Sequence, residues 1–371
     1  MNKSLKLSGT EDITGNTWTI LKWVQKALYD VFATHGYRFI DTPMLEPTDL
    51  FVRKGGGEII TQMYSFSTPD GRQISIRPEF TSSIVRQYIE SKTLPPVPSR
   101  LQYSGPVFRY DIETRDNRQF HQSGVELIGS DHLRSDSEVL SLSCLGLSTL
   151  GLKKTRLVIT DLHIFGQILE HCGLSDREKL FVMNHIRILQ KGDEALLHVK
   201  EKARTFSLPQ PDSPPNIDLV DVSSMSKTKA RQLIAEMLKK DDMGFLGRRT
   251  ADQITERLLR KGSGNYDSSK MNIAIEIVGA LAMIAGDPQD CLRAAKEIIK
   301  KYELSSISLE NLEQALNLLS SGNIGDTSVV VDFGLARGIS YYTGIIFELT
   351  DATGTTSFGG GGRYDGLATS L

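Results

Sequence analysis

The stretch FRYDIETRDNRQFHQSGVELIG, Phe108 to Gly129, decides the fold. It opens on a strand-like run, Val107-Phe108-Arg109-Tyr110, and crosses a polar loop from Asp111 to Asn117. It leaves through a second apolar/polar alternation at Phe120, Gln122, Val125 and Glu126. Such alternation predicts two antiparallel strands with one buried face. Successive side chains of a strand point to opposite faces, so Gln122 and Glu126 share one by parity, and Arg109 can join them from the neighbouring strand. A guanidinium, an amide and a carboxylate above a sheet suit a zwitterionic, hydrogen-bonding small molecule. A solvated hairpin with scattered charges is the other reading of the same residues.

A second region narrows the choice. Val329 to Phe333 and Ile345 to Leu349 carry the β-branched and aromatic residues of buried strands. Between them, Ala336 to Gly344 (ARGISYYTG) supplies Arg337, Tyr341 and Tyr342. Gly359 to Gly362 removes consecutive Cβ atoms, which lets the backbone turn sharply or approach a ligand. A third segment pairs Gln62-Met63-Tyr64-Ser65-Phe66 with Ile76-Arg77-Pro78-Glu79-Phe80-Thr81.

Bulk composition is less decisive. The 371-residue chain is long enough for a full core and more than one structural unit. Its 43 Lys+Arg against 45 Asp+Glu, a formal net charge of −2, give no global footprint for nucleic acid. Cys144, Cys172 and Cys291 lack paired spacing, which predicts reduced thiols and no metal site. No apolar signal core follows Met1 and no 18-residue apolar run occurs, so a cytoplasmic protein with no membrane partner is expected.

Periodicity predicts helices at Trp18–Thr34, ended by His35-Gly36, and at Pro78–Lys92, Ser135–Leu150 and Leu162–Cys172. Strands are expected near 39–43, 73–77, 101–110, 119–128, 156–160, 329–334 and 343–349. Asp176–Arg204 and Lys227–Lys240 are charged and helically periodic, with the proline-rich Leu208–Pro215 between them. A further helix is expected over Thr250–Lys261. These define a helical insertion at 176–265, protruding from a discontinuous core of residues 1–175 and 266–371. Helices at 270–286, 287–302 and 308–320 lead back into that core.

Together these segments resemble the histidyl-tRNA synthetases and their paralogues within the class II synthetases. Gln62–Phe66 and Ile76–Thr81 are similar to the family's "MYTF…LRPE-x-T" stretch. Arg109 and Phe120–Glu126 match motif 2, Arg337–Gly344 resembles "RGLDYYTG", and Phe39–Pro47 resembles motif 1. Gly9-Thr10-Glu11-Asp12 is similar to the N-terminal "GTRD". The resemblance implies an α+β fold with a mostly antiparallel sheet flanked by helices, and a two-fold homodimer through Phe39–Pro47. It implies a histidine pocket in which Glu79, Thr81 and Gln122 take the ammonium, and Arg337 with Arg109 faces the carboxylate. Glu126 and Tyr342 would meet the imidazole nitrogens and Tyr341 would shape the wall.

In a working ligase, Arg109 and Arg337 would be catalytic, with Arg109 on the α-phosphate and Arg118 a further ATP contact. ATP and Mg would then be required, histidyl-adenylate would form, and tRNA(His) would be charged. The chain departs from that pattern. Asp116 falls near an expected arginine, where its charge would repel a triphosphate, and Ser340 replaces the usual aspartate. The sequence also ends at Leu371, before the family's motif 3 and anticodon-binding domain would appear. The expected role is therefore that of the paralogue, a histidine-binding regulatory subunit partnering the ATP phosphoribosyltransferase catalytic subunit in histidine biosynthesis, with no cofactor. Histidine–tRNA ligase is the alternative.

Overall fold

A computed structural model of the chain describes residues 6–52, 56–93, 95–110, 118–207, 268–304, 306–336 and 341–371. From the N-terminus, α1 (Gly15–Thr34) leads through β1 (Arg38–Phe39) and β2 (Leu45–Pro47) to the short helices α2 (Thr48–Val52) and α3 (Gly56–Thr61). The hairpin β3 (Ser65–Ser67) and β4 (Gln73–Ile76) and helix α4 (Thr81–Ile89) follow. Next come the long pair β5 (Ser99–Phe108) and β6 (Gln119–Ile128), then α5 (Leu133–Thr149), β7 (Thr155–Asp161), α6 (Leu162–His171), α7 (Asp176–Leu189) and α8 (Asp193–Ser207). Beyond residue 267 lie α9 (Ser268–Ala282), β8 (Ala285–Gly286), α10 (Pro288–Lys301), α11 (Glu310–Ser321), β9 (Thr327–Asp332), β10 (Ile345–Thr350) and β11 (Ser357–Gly362).

The fold is α+β and its strand pairing is mostly antiparallel. The sheets run β1-β5-β6, β2-β4-β3 and β11-β10-β7-β9-β8. Parallel pairing among the described residues is confined to β1 with β5 and β7 with β9. Local chemistry explains several boundaries. Gly36 ends α1 with φ +84°, a conformation that glycine adopts without strain. Asp287 caps α10 by accepting from the Gln289 amide at 2.9 Å, with Pro288 in the first turn, where its missing N–H is not needed.

The expected 119–128 hairpin partner pairs in the register that parity requires, with Leu101 opposite Glu126 and Gly105 opposite Gln122. Leu101, Tyr103 and Val107 of β5 pack on that face with Phe80, Ile84 and Val85 from the start of α4. The other face is covered too, contrary to the single buried face expected. Phe32 and Leu28 of α1, Leu142 and Leu145 of α5, and Val125 form a second small core there, next to Tyr37. Buried Gln102 completes that side by donating to the Tyr37 carbonyl at 2.8 Å.

Two further expectations need correction. The strand expected at 39–43 divides, because Pro43 has no amide to donate; β1 ends at Phe39 and β2 begins at Leu45 in another sheet. The glycine run is not a turn but most of β11, paired antiparallel to β10 with Phe347 opposite Gly361 and Ile346 opposite Gly362. A Cβ at Gly362 would lie 2.6 Å from Ile346 Cγ2, so the missing side chains let the strands pack.

The largest core gathers around β7 and β10. Ile164, Phe165, Ile168 and Leu169 of α6 meet Leu157, Ile159 and Phe347 there. Phe181, Val182, Ile186 and Leu189 of α7, with Val199 and Ala203 of α8, belong to the same core. The described part of the 176–265 segment is therefore helical and packs into the core. The helices expected at 227–240 and 250–261 lie outside the described residues.

Candidate ligand pocket

A cavity of about 1290 Å³ opens beside the free edge of β6. Its wall includes Glu79, Thr81, Arg109, Gln122, Glu126, Tyr341 and Tyr342. The backbone accounts for this convergence. Arg77 is buried and anchors the approach to α4 by donating to the carbonyls of Pro106 at 2.9 Å and Thr42 at 2.7 Å. Glu79 thereby sits just ahead of the helix, with its carboxylate accepting the Ser82 amide at 3.2 Å. Arg109 extends the β5–β6 ladder, its amide donating to the Arg118 carbonyl at 3.0 Å. Its Nε donates to the Pro78 carbonyl at 2.9 Å, and its guanidinium lies 5.2 Å from the centre of the Phe120 ring.

Two nearly buried carboxylates line this cavity. Glu79 is 3 % exposed and Glu126 4 %. Burial pushes Glu79 above the ordinary carboxylate range, against the Ser82 hydrogen bonds and the Arg109 charge. Burial raises Glu126 as well, to about 7, against hydrogen bonds from Tyr364 and Thr81 and with added repulsion from Glu79. Thr81 Oγ1 donates to Glu126 Oε1 at 2.7 Å, and the Tyr364 hydroxyl donates to Oε2. Gln122 Oε1 is buried with no hydrogen-bond partner among the described residues. A buried acceptor without a donor is costly, and a pair of buried carboxylates more so. A ligand that brings N–H donors and positive charge relieves both.

The polar aromatic residues frame this acidic centre. Burial holds the Tyr103, Tyr341 and Tyr364 phenols well above their usual range, so they remain neutral donors. Tyr341 packs edge-on against Tyr342 and Tyr364, with ring centres 5.0 and 6.1 Å away. Of the remaining expected residues, Arg337 lies outside the described residues and is placed neither on the wall nor off it. Arg118 is 9 % exposed and stacks 4.7 Å over the Tyr110 ring, away from the cavity lining.

Sequence reading passed over Tyr364 and Tyr103. Tyr364 lies in the run that ends the glycine strand, and only the fold brings it to Glu126. Tyr103 was accessible by parity, standing opposite Gly124 in the ladder. A Cβ at Gly124 would fall 2.5 Å from Tyr103 Oη. Gly124→Ala must therefore displace the Tyr103 ring from its place in the lining, an overpacking cost of about 1–3 kcal/mol. Thermal unfolding of that variant should show the loss, and ligand binding should fall with it.

A family profile described as histidyl-tRNA synthetase matches residues 9–208 and 219–371. The chain belongs to the histidyl-tRNA synthetase family. It is 28 % identical to the histidine–tRNA ligase of Pyrococcus abyssi over 365 residues, which span 98 % of this chain and 69 % of that protein. It is 30 % identical to the histidine–tRNA ligase of Sulfurisphaera tokodaii over 366 residues, 97 % of this chain and 68 % of that protein. Among solved structures it is similar to an ATP phosphoribosyltransferase regulatory subunit/histidyl-tRNA synthetase from Bacillus halodurans. There the TM-score is 0.66 at 19 % identity, covering 98 % of this chain and 77 % of the other. The histidyl-tRNA synthetase from Nostoc sp. PCC 7120 gives a TM-score of 0.57 at 15 % identity, covering 100 % and 70 %. At those identities the two structures speak for the fold, which is that of the class II synthetases.

Proposed function

We propose that the chain binds free L-histidine in the β6 cavity. The pairing of buried Glu79 and Glu126 beside the unpartnered Gln122 oxygen carries this reading. The ammonium would rest on Glu79 and Gln122, and an imidazole N–H would donate to Glu126, with Tyr342 near the other ring nitrogen. Arg337 would hold the carboxylate through its two-pronged guanidinium. Calorimetric titration with L-histidine tests the proposal; no heat of binding at millimolar ligand would remove it.

The relatives favour a ligase role for this pocket, because ligases match almost the whole chain. The carboxylate of bound histidine would then attack the α-phosphate of ATP, breaking the α–β phosphoanhydride bond and releasing pyrophosphate, with Arg109 on the cavity wall stabilising the developing charge. Among the described residues no group of three or more His, Cys, Asp or Glu side chains gathers to hold a metal ion. Magnesium would enter with the triphosphate rather than occupy a protein cage. Histidine-dependent ATP–pyrophosphate exchange should be positive, and tRNA(His) would be the acceptor.

The second reading is the regulatory subunit, partnered with the ATP phosphoribosyltransferase catalytic subunit and needing no cofactor. Asp116 in the motif 2 loop favours it. Histidine binding without pyrophosphate exchange, together with capture of that catalytic subunit, would select it.

In either role we propose a cytoplasmic two-fold dimer. Among the described residues no helix is long and apolar enough to cross a membrane. Trp23, Phe39, Met44 and Leu45 are each about half exposed along α1 and the motif 1 segment. Apolar residues grouped in this way fit a self-complementary interface. Sedimentation should give a dimer at micromolar concentration, and Phe39→Asp should shift it to monomer.

A further inference from the structure

We infer that Gln190 and Asp332 are positioning residues for the carboxylate end of the pocket, holding the turn through which the chain runs from β9 toward Arg337. The inference rests on the histidine-pocket reading, in which Arg337 takes the ligand carboxylate, and names what sets the backbone ahead of that arginine. Gln190 caps the C-terminus of α7, and Asp332 is the last residue of β9, 142 residues later. Gln190 Nε2 donates to Asp332 Oδ1 at 2.8 Å, and the Gly334 amide donates to the same oxygen at 2.8 Å. The Leu335 amide closes the turn on the Asp332 carbonyl at 3.1 Å, and the Phe333 amide ties it to the Ile284 carbonyl at 3.1 Å. A Cβ at Gly334 would lie 2.3 Å from Gln190 Cδ and 2.7 Å from the Ala282 carbonyl oxygen, so the glutamine and the end of α9 both press on this glycine. Phe333 is fully buried on one side of it, edge-on to Phe165 of α6 with ring centres 6.4 Å apart, and Leu335 is buried on the other.

Neither Gln190 nor Asp332 lines the cavity, so neither is a ligand contact. Their effect passes along the backbone, because Arg337 follows Gly334 by three residues. Without the Gln190 donor the half-buried Asp332 carboxylate is one hydrogen bond short, and the turn shifts as that oxygen seeks another partner. A two-pronged guanidinium–carboxylate contact depends on alignment in a plane, so it is sensitive to such a shift. The ammonium and imidazole partners, Glu79, Gln122 and Glu126, stand on other elements and keep their places.

The experiment is calorimetric titration of the chain with L-histidine and with L-histidinol, which keeps the ammonium and the imidazole and lacks the carboxylate. Gln190→Met keeps the length of the side chain and removes the donor. It should weaken L-histidine about tenfold, the scale of one charge-assisted bond, and leave L-histidinol unchanged. Asp332→Asn keeps an acceptor oxygen for both donors and should bind both ligands as the parent does. If Gln190→Met does not fold, Gln190→Asn, which draws the donor back by one methylene, makes the same comparison. Equal losses for the two ligands would assign Gln190 to general support of the fold, and unchanged histidine affinity would show that the turn keeps its place without it. Either result overturns the inference and leaves the pocket reading intact. A parent that binds histidine no better than histidinol would overturn the inference together with the role given to Arg337. A parent that binds neither would overturn the pocket reading as well.

Discussion

Replacing Glu126 with Gln is expected to weaken L-histidine binding by about ten- to a hundredfold, equivalent to about 1.5–3 kcal/mol for a hydrogen bond to a charged group. The substitution keeps the shape of the side chain and one acceptor oxygen, so Thr81 can still donate. It removes the negative charge and places an NH2 group where the Tyr364 hydroxyl or the ligand ring expects an acceptor. The effect should fall on the imidazole: histidine should suffer, whereas an amino acid with a phenyl ring should bind no worse than before. Calorimetry on parent and variant at pH 7.5 reads this directly. Equal losses for both ligands would mean that Glu126 shapes the pocket without reading the ring.

The same residue should leave a mark on stability. Glu126 has a folded value of about 7 against an ordinary 4.5, because burial disfavours its charge. A carboxyl raised in this way binds its proton more tightly in the folded state than in the unfolded state. Its contribution to stability is therefore greatest below pH 4.5 and declines as pH rises through 7. Across that window the decline is about 3 kcal/mol. Glu79 is raised in the same direction, so the comparison must be with a variant rather than with a pH profile alone. In denaturant unfolding without ligand, Glu126→Gln should gain on the parent between pH 5 and pH 8 by that order. Saturating histidine should reverse the ranking at pH 8 by supplying an N–H donor and positive charge directly against the Glu126 carboxylate. Parallel stability profiles for parent and variant would show that Glu126 does not titrate in this window.

Both expectations start from a hairpin that was legible in the sequence. Its alternation placed Arg109, Gln122 and Glu126 on one face, and a ladder with Gly105 opposite Gln122 puts them there. The helices were legible for a similar reason: α1, α5, α6 and α10 carry apolar faces with clear ends. The glycine strand was not. Four glycines have no side-chain pattern to read and little preference for a strand, so β11 is defined only by its pairing with β10. The packing of α7 and α8 was hidden by their charged outer faces, though Phe181, Val182, Ile186 and Leu189 sit at helical spacing on the inner one. Tyr364 was missed because its partner Glu126 is 238 residues away, a contact that only tertiary structure creates. Arg118 was assigned by position in a motif, and position alone could not show that its guanidinium stacks on Tyr110.

The most direct test of the central claim is a calorimetric titration of the purified chain at pH 7.5 with L-histidine, with the other amino acids as competitors. The account predicts one saturable site per chain, filled by histidine and by no other amino acid at comparable concentration. Absence of binding, or filling of the site by phenylalanine or glutamine as readily as by histidine, would contradict it.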